Sequence, residues 1–184
     1  PNLYLAGLVA ASFGLTACSS NPNKDVSLAE LSQHLPAKAF GNEPGWLAEL
    51  SPSELTLKPN YGKEEVIFTQ LKASHKKGVW QVTGSESVKL HLNYTPISCL
   101  DSMTGLPYPW QVEGQLGEMK LQGCAGRVEE VLSGEWQIED INKQGIIDSS
   151  HITLGFDTQE KRVYGSSGCN RYNSNYQLSG EGIK

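Results

Sequence analysis

Residues 88–94 alternate with a period of two: Val88, Leu90, Leu92 and Tyr94 are apolar, while Lys89, His91 and Asn93 between them are polar. Such a pattern belongs to a β-strand with one face in a core and the other in water. Weaker alternation recurs at Trp46–Leu50, Val66–Phe68, Val79–Val82, Trp110–Leu116 and Met119–Leu121. Turn signals lie at Pro59-Asn60-Tyr61-Gly62, Lys77-Gly78, Thr83-Gly84 and Leu116-Gly117. No helical pattern long enough for a crossover separates these runs, which disfavours a parallel sheet. The expectation is a mainly β protein of two small antiparallel domains, the first a meander that closes into a barrel or a strongly curved sheet. Nineteen glycines and only 19% charged residues agree with a turn-rich β chain.

The start of the chain reads differently. Residues 3–17, LYLAGLVAASFGLTA, carry no charge and are followed by Cys18-Ser19-Ser20. A run of this length is short for a bilayer span, which takes about 20 residues, and suits the apolar region of a secretory signal. Leu15-Thr16-Ala17-Cys18 resembles the bacterial lipoprotein box, in which the Cys is acylated and becomes the new N-terminus. That resemblance implies a signal segment over 1–17, lipidation of Cys18, anchoring of the chain to a membrane and, with Ser19 rather than Asp after the Cys, outer-membrane sorting with the protein facing the periplasm. More than one acyl chain makes such an anchor stable. Residues 18–38 read as a tether and one short helix. Ser27-Leu28-Ala29-Glu30 has the form of a capping box, Val26 is placed to staple onto Leu31, and Pro36 stops a helix predicted over Leu28–His34.

Two blocks follow, 39–127 and 134–184, with Val128–Gly134 read as a linker. The first holds 8 basic and 9 acidic residues and is near neutral; residues 128–184 hold 5 basic and 9 acidic, so most of the formal charge of −5 lies there. An acidic balance of this kind argues against nucleic acid as a partner, because that needs a clustered basic surface. The one basic cluster, Lys72, His75, Lys76 and Lys77, reads as a solvated hairpin tip.

Four cysteines stand at 18, 99, 124 and 169. In an oxidising compartment Cys99 and Cys124 are natural disulfide partners within the first block, leaving Cys169 odd. The alternative, zinc held by Cys and His, lacks the short Cys spacing of structural zinc sites. No metal or other cofactor is expected.

Trp136-Gln137-Ile138, His151-Ile152-Thr153-Leu154-Gly155-Phe156-Asp157 and Gly165-Ser166-Ser167-Gly168-Cys169-Asn170-Arg171-Tyr172 resemble, in order, the W-x-I opening, the I-T-L-x-F strand and the G-C-N-R loop of the META/HslJ-like domain. The likeness covers residues 134–184, about the first half of such a domain, and implies a loose link to heat shock and antibiotic tolerance. Gly41-Asn42-Glu43-Pro44-Gly45-Trp46 and Cys99-Leu100-Asp101-Ser102-Met103-Thr104-Gly105, with Tyr108-Pro109, are similar to a family of bacterial envelope lipoproteins without assigned chemistry. Its recurring cysteine pair supports the Cys99–Cys124 bridge.

Candidate ligand-contact residues are Glu43, Asp101, Ser102, Asn170 and Arg171. Glu43 reads first as a turn-capping carboxylate in a loop anchored by Trp46, and Asn170 and Arg171 as stabilising backbone groups of a turn. Asp101-Ser102 pairs a carboxylate with a hydroxyl, but no His lies near in sequence to form a nucleophilic triad. Gly165-Ser166-Ser167-Gly168 misses the spacing of a nucleophile elbow and has no helix after it. The expectation is therefore a non-enzymatic envelope lipoprotein; the alternative is a periplasmic binding module or inhibitor, of the lysozyme-inhibitor kind or for a small ligand.

Overall fold

The computed structural model describes residues 26–147, 150–179 and 182–184. The signal segment, Cys18 and most of the tether lie outside the described residues. Helix α1 (Leu28–His34) forms where the capping signal stands: the Ser27 hydroxyl accepts from the Glu30 amide at 3.2 Å. It ends at Leu35, held extended before Pro36. Leu28, Leu31 and Leu35 are buried in the same core as the strands that follow. Among the described residues no helix is long and apolar enough to cross a membrane.

Nine strands build one antiparallel sheet: β1 (Lys38–Asn42), β2 (Gly45–Leu50), β3 (Leu55–Lys58), β4 (Val66–Phe68), β5 (Leu71–Lys76), β6 (Val79–Ser85), β7 (Lys89–Thr95), β10 (Trp110–Leu116) and β11 (Met119–Ala125). A short hairpin, β8 (Cys99–Leu100) with β9 (Pro107–Tyr108), lies apart from it. The order is β4-β3-β2-β1-β11-β10-β7-β6-β5, so the outer strands β4 and β5 are consecutive in the chain. Only Thr69-Gln70 separates them, and the sheet curls into a nearly closed barrel. Phe68 helps to close the gap, for its fully buried ring lies 2.6 Å from where a Cβ on Gly84 would be. Register then places matched apolar residues inside: Ala73 opposite Val82, Val82 opposite Leu92, and Tyr94 between Trp80 and Val112. At one end Trp80 stacks with His34 of α1 at 5.2 Å and with His75 of β5 at 4.8 Å.

Two local expectations differ. Thr83-Gly84 is no turn but the interior of β6, because the turn is made later at Glu86–Val88. Residues 128–132, read as linker, are helix α2 (Val128–Leu132), whose Val128 and Leu132 are buried. The Lys77-Gly78 turn is as expected, both residues having φ near the left-handed region (51° and 81°), as a type I′ hairpin requires.

Beyond α2 come β12 (Gly134–Gln137), a small hairpin of β13 (Asp140–Ile141) and β14 (Gln144–Gly145), β15 (Ile152–Asp157), β16 (Arg162–Ser167), β17 (Arg171–Asn175), and a last hairpin of β18 (Leu178–Ser179) and β19 (Gly182–Ile183). Strands β12, β15, β16 and β17 form a second antiparallel sheet in that order. Its core holds Phe156 and Tyr176, edge to face at 5.3 Å, with Val128 and Leu132 from α2 and Leu106 from the loop between β8 and β9. The Trp136 indole donates to the Leu132 carbonyl at 3.1 Å, and Lys161 pairs with Glu129 at 2.9 Å. That contact holds the Glu129 carboxyl below and the Lys161 ammonium above their ordinary ranges.

Candidate functional site

The β1–β2 hairpin turns on Glu43-Pro44, with Asn42 paired to Gly45 and the Glu43–Pro44 peptide cis. Trp46 is buried beside it and donates its indole N–H to the Gln122 carbonyl at 3.1 Å. Its ring occupies the space a side chain at position 41 would need, which explains Gly41. The Tyr61 ring covers Gly45 in the same way, and its hydroxyl donates to the Asn42 carbonyl at 2.9 Å. The turn is thus fixed from both sides.

Asn42 links this turn to a second loop. Its amide donates to Asp101 Oδ1 at 2.6 Å and to the Ser102 hydroxyl at 3.0 Å. Asp101 Oδ2 in turn accepts from the amide and hydroxyl of Thr104, at 2.9 and 2.6 Å. The Gly105 amide closes onto the Asp101 carbonyl, with Gly105 at φ 70°, where a glycine is least strained. The Cys99–Cys124 disulfide joins the base of the loop to β11, and the Phe40 and Tyr108 rings meet edge to face at 4.9 Å. Burial by itself pushes the Asp101 carboxyl upward. The hydrogen bonds from Thr104, Asn42 and Met103 outweigh it and hold the group below the usual carboxylate range.

The two loops border a cleft of about 400 Å³ lined by Asn42, Glu43, Asp101, Ser102, Glu113 and Gln122 among others. Glu43, Asp101 and Ser102 therefore do come together. Their roles differ from expectation. Asp101 is only 7% exposed and its oxygens are occupied by loop donors, so it acts as the knot of the loop. Glu43 caps no turn: its exposed carboxylate has no hydrogen bond or ion pair among the described residues. The cleft lining contains no imidazole, amine or guanidinium that would activate the Ser102 hydroxyl. Among the described residues no group of three His, Cys, Asp or Glu is placed to hold a metal ion.

Asn170 and Arg171 are not part of this cluster; they stand at the β16–β17 turn of the second sheet. The Asn170 carbonyl, rather than its side chain, accepts from the Ser167 amide at 2.8 Å and hydroxyl at 3.2 Å. Arg171 borders a shallow cleft of about 550 Å³ with Glu135, His151, Tyr164 and Tyr172. The Tyr172 hydroxyl donates to the Thr153 carbonyl at 2.7 Å, and β17 is exposed along its whole length. Cys169 is a free, exposed thiol in the turn.

Sequence reasoning passed over Asn42, Thr104 and Tyr61 as site residues. The Asp101-x-x-Thr104 spacing is the signal for two of the loop's bonds. The long-range bond from Asn42 had no such signal.

Residues 129–184 match the META domain family. No curated protein and no solved structure matches the chain. The META match begins inside α2 and takes in the whole second sheet, including the Asn170–Arg171 turn. The barrel and its cleft lie outside it.

Proposed function

We propose that this chain is a lipid-anchored accessory protein of the bacterial envelope, held at the outer membrane through Cys18, facing the periplasm and serving stress protection without catalysis. The META match is the observation that carries the reading, since it supports a stress-related or accessory family. A structural disulfide suits an oxidising compartment. Two measurements test the reading. Acyl-chain labelling of the full chain is expected, and is lost in Cys18→Ala. A deletion strain is expected to be more sensitive than its parent to heat, envelope stress and novobiocin; identical survival removes the stress role.

The second reading, a periplasmic binding module or inhibitor, is favoured by one feature. The loop tied down by the disulfide and by Asp101 presents Leu100 and Met103 to solvent, 68% and 78% exposed. Large apolar side chains on a rigid loop bind with little loss of conformational freedom. Retention of a periplasmic or host protein by the wild type, lost in Leu100→Glu with Met103→Glu, is the outcome this reading requires.

A further inference from the structure

The loop between β8 and β9 and the β1–β2 turn share one cleft, whose apolar and charged parts ask for the same kind of partner. Leu100 lines this cleft, and Met103 stands three residues further in the same loop, both largely in water. The backbone that carries them is fixed. Cys99, beside Leu100, is bonded to Cys124 of β11, and Asp101 Oδ2 holds the amide and hydroxyl of Thr104, the residue after Met103. Large apolar side chains held in water by a fixed backbone gain from being covered and lose little freedom when they are.

The charges of the cleft decide what can cover them. Glu43 from the turn and Glu113 from β10 are exposed carboxylates of its lining. Glu43 has no hydrogen bond or ion pair among the described residues, and Glu113 accepts only from the Gln111 amide, at 2.9 Å. The donors to Asp101 are amides and a hydroxyl, which are neutral and leave its charge in place. Among the described residues no Lys, Arg or His lines the cleft, whereas Glu49, Glu129, Glu130 and Glu160 elsewhere each meet a cation. Covering these carboxylates with a neutral surface costs their hydration without return; a partner that brings a cation restores the balance. A small free cation leaves Leu100 and Met103 in water, so the cation must arrive on an apolar protein segment. A guanidinium suits the cleft better than an ammonium, because its planar fork of N–H groups can serve several carboxylate and amide oxygens at once.

We propose that this face docks a loop of a partner protein that carries an arginine between apolar side chains. The guanidinium enters the cleft toward Glu43 and Glu113, and its apolar neighbours cover Leu100 and Met103. This rests on the binding-module reading above and names the chemistry of the partner; it involves neither the stress role nor the META region.

NMR titration of the full chain with the peptide acetyl-Leu-Arg-Leu-amide tests this. Saturable shifts are expected at the amides of Asn42, Ser102, Met103 and Glu113. Acetyl-Leu-citrulline-Leu-amide, which has the same shape without the charge, is expected to bind about fivefold more weakly. Glu43→Gln with Glu113→Gln changes exposed side chains only and is expected to erase that preference. Leu100→Ser with Met103→Ser is expected to weaken both peptides alike. The proposal fails if the arginine peptide gives no saturable shift, if the shifts fall in another part of the protein, or if the double glutamine variant keeps the preference. Loop amides that broaden with rising chain concentration and ignore the peptide identify a second copy as the occupant, which also overturns it. Equal binding of the two peptides at this loop overturns the arginine partner alone and leaves the binding-module reading standing. That reading falls only if protein retention does not depend on Leu100 and Met103.

Discussion

The two sheets of this protein are stabilised in different ways. Among the described residues the barrel buries twenty apolar side chains in one continuous core, nearly all supplied by its own strands and by α1. Among the described residues the core of the second sheet holds five buried apolar side chains, and three of them, Leu106, Val128 and Leu132, come from the barrel's long loop and from α2 rather than from its strands. Trp136 and Tyr172 on one face of the second sheet and Tyr164 on the other stay partly in water, and β17 is exposed throughout. Regular alternation along paired strands makes a core by itself; a sheet with fewer inward residues leans on a neighbour. The loop from Cys99 to Tyr108 is that neighbour's contribution, so it serves the cleft at its tip and the second core at its base.

The largest expected effect comes from opening the disulfide. Replacing Cys99 and Cys124 by Ser releases a loop spanning 25 residues, for which the chain-entropy argument gives about 3 kcal/mol. Urea unfolding followed by tryptophan fluorescence is expected to show the loss, and hydrogen exchange is expected to place it in both regions. Loss confined to the barrel would break the claim that the loop supports the second core. Leu106→Ala sharpens the comparison, since this residue is attached to the barrel but buried in the other core. A cost of about 2–3 kcal/mol is expected. Amide protection should fall in β15 and β16 and remain unchanged in β7 and β10; equal loss in both would mean one cooperative unit.

How much of this was legible follows from the same difference. The runs at 46–50, 66–68, 79–82, 88–94, 110–116 and 119–121 announce barrel strands because one face is in water and period-two alternation records that directly, though β6 and β11 run on to Ser85 and Ala125. Strands β1, β3 and β5 carry too little of this pattern, as short runs such as Leu55–Lys58 offer only two inward positions. Helix α2 has five residues, too few for a helical period, and its Val128 and Leu132 acquire meaning only from Phe156 and Tyr176. At the site, the turn at Glu43-Pro44 and the disulfide were readable from local residue types. The bond from Asn42 to Asp101 spans 59 positions and is created by the barrel register, which no local pattern encodes.

Asp101 offers the finest test, because it sits where the cleft loop is joined to the barrel turn. Its hydrogen bonds to Asn42 and Thr104 hold the folded-state carboxyl below its ordinary value near 4. Linkage then sets the sign: its stabilisation is fully present above the unfolded value and is lost as pH falls through the lower folded one. Asp101→Asn puts an amide N–H against one of the existing donors, with an expected cost of about 1–2 kcal/mol at neutral pH. The gap between wild type and variant should narrow as pH falls below about 4, because the unfolded chain then takes up a proton that the folded carboxyl holds off. Urea midpoints measured at several pH values give the result, and a gap that stays constant to pH 2 would show that Asp101 is not the charged knot of this loop. If the narrowing is accompanied by loss of protection in β15 and β16, the loop couples the two cores through Asp101 as well as through Leu106; if only β8 and β9 respond, the coupling runs through the apolar contact alone.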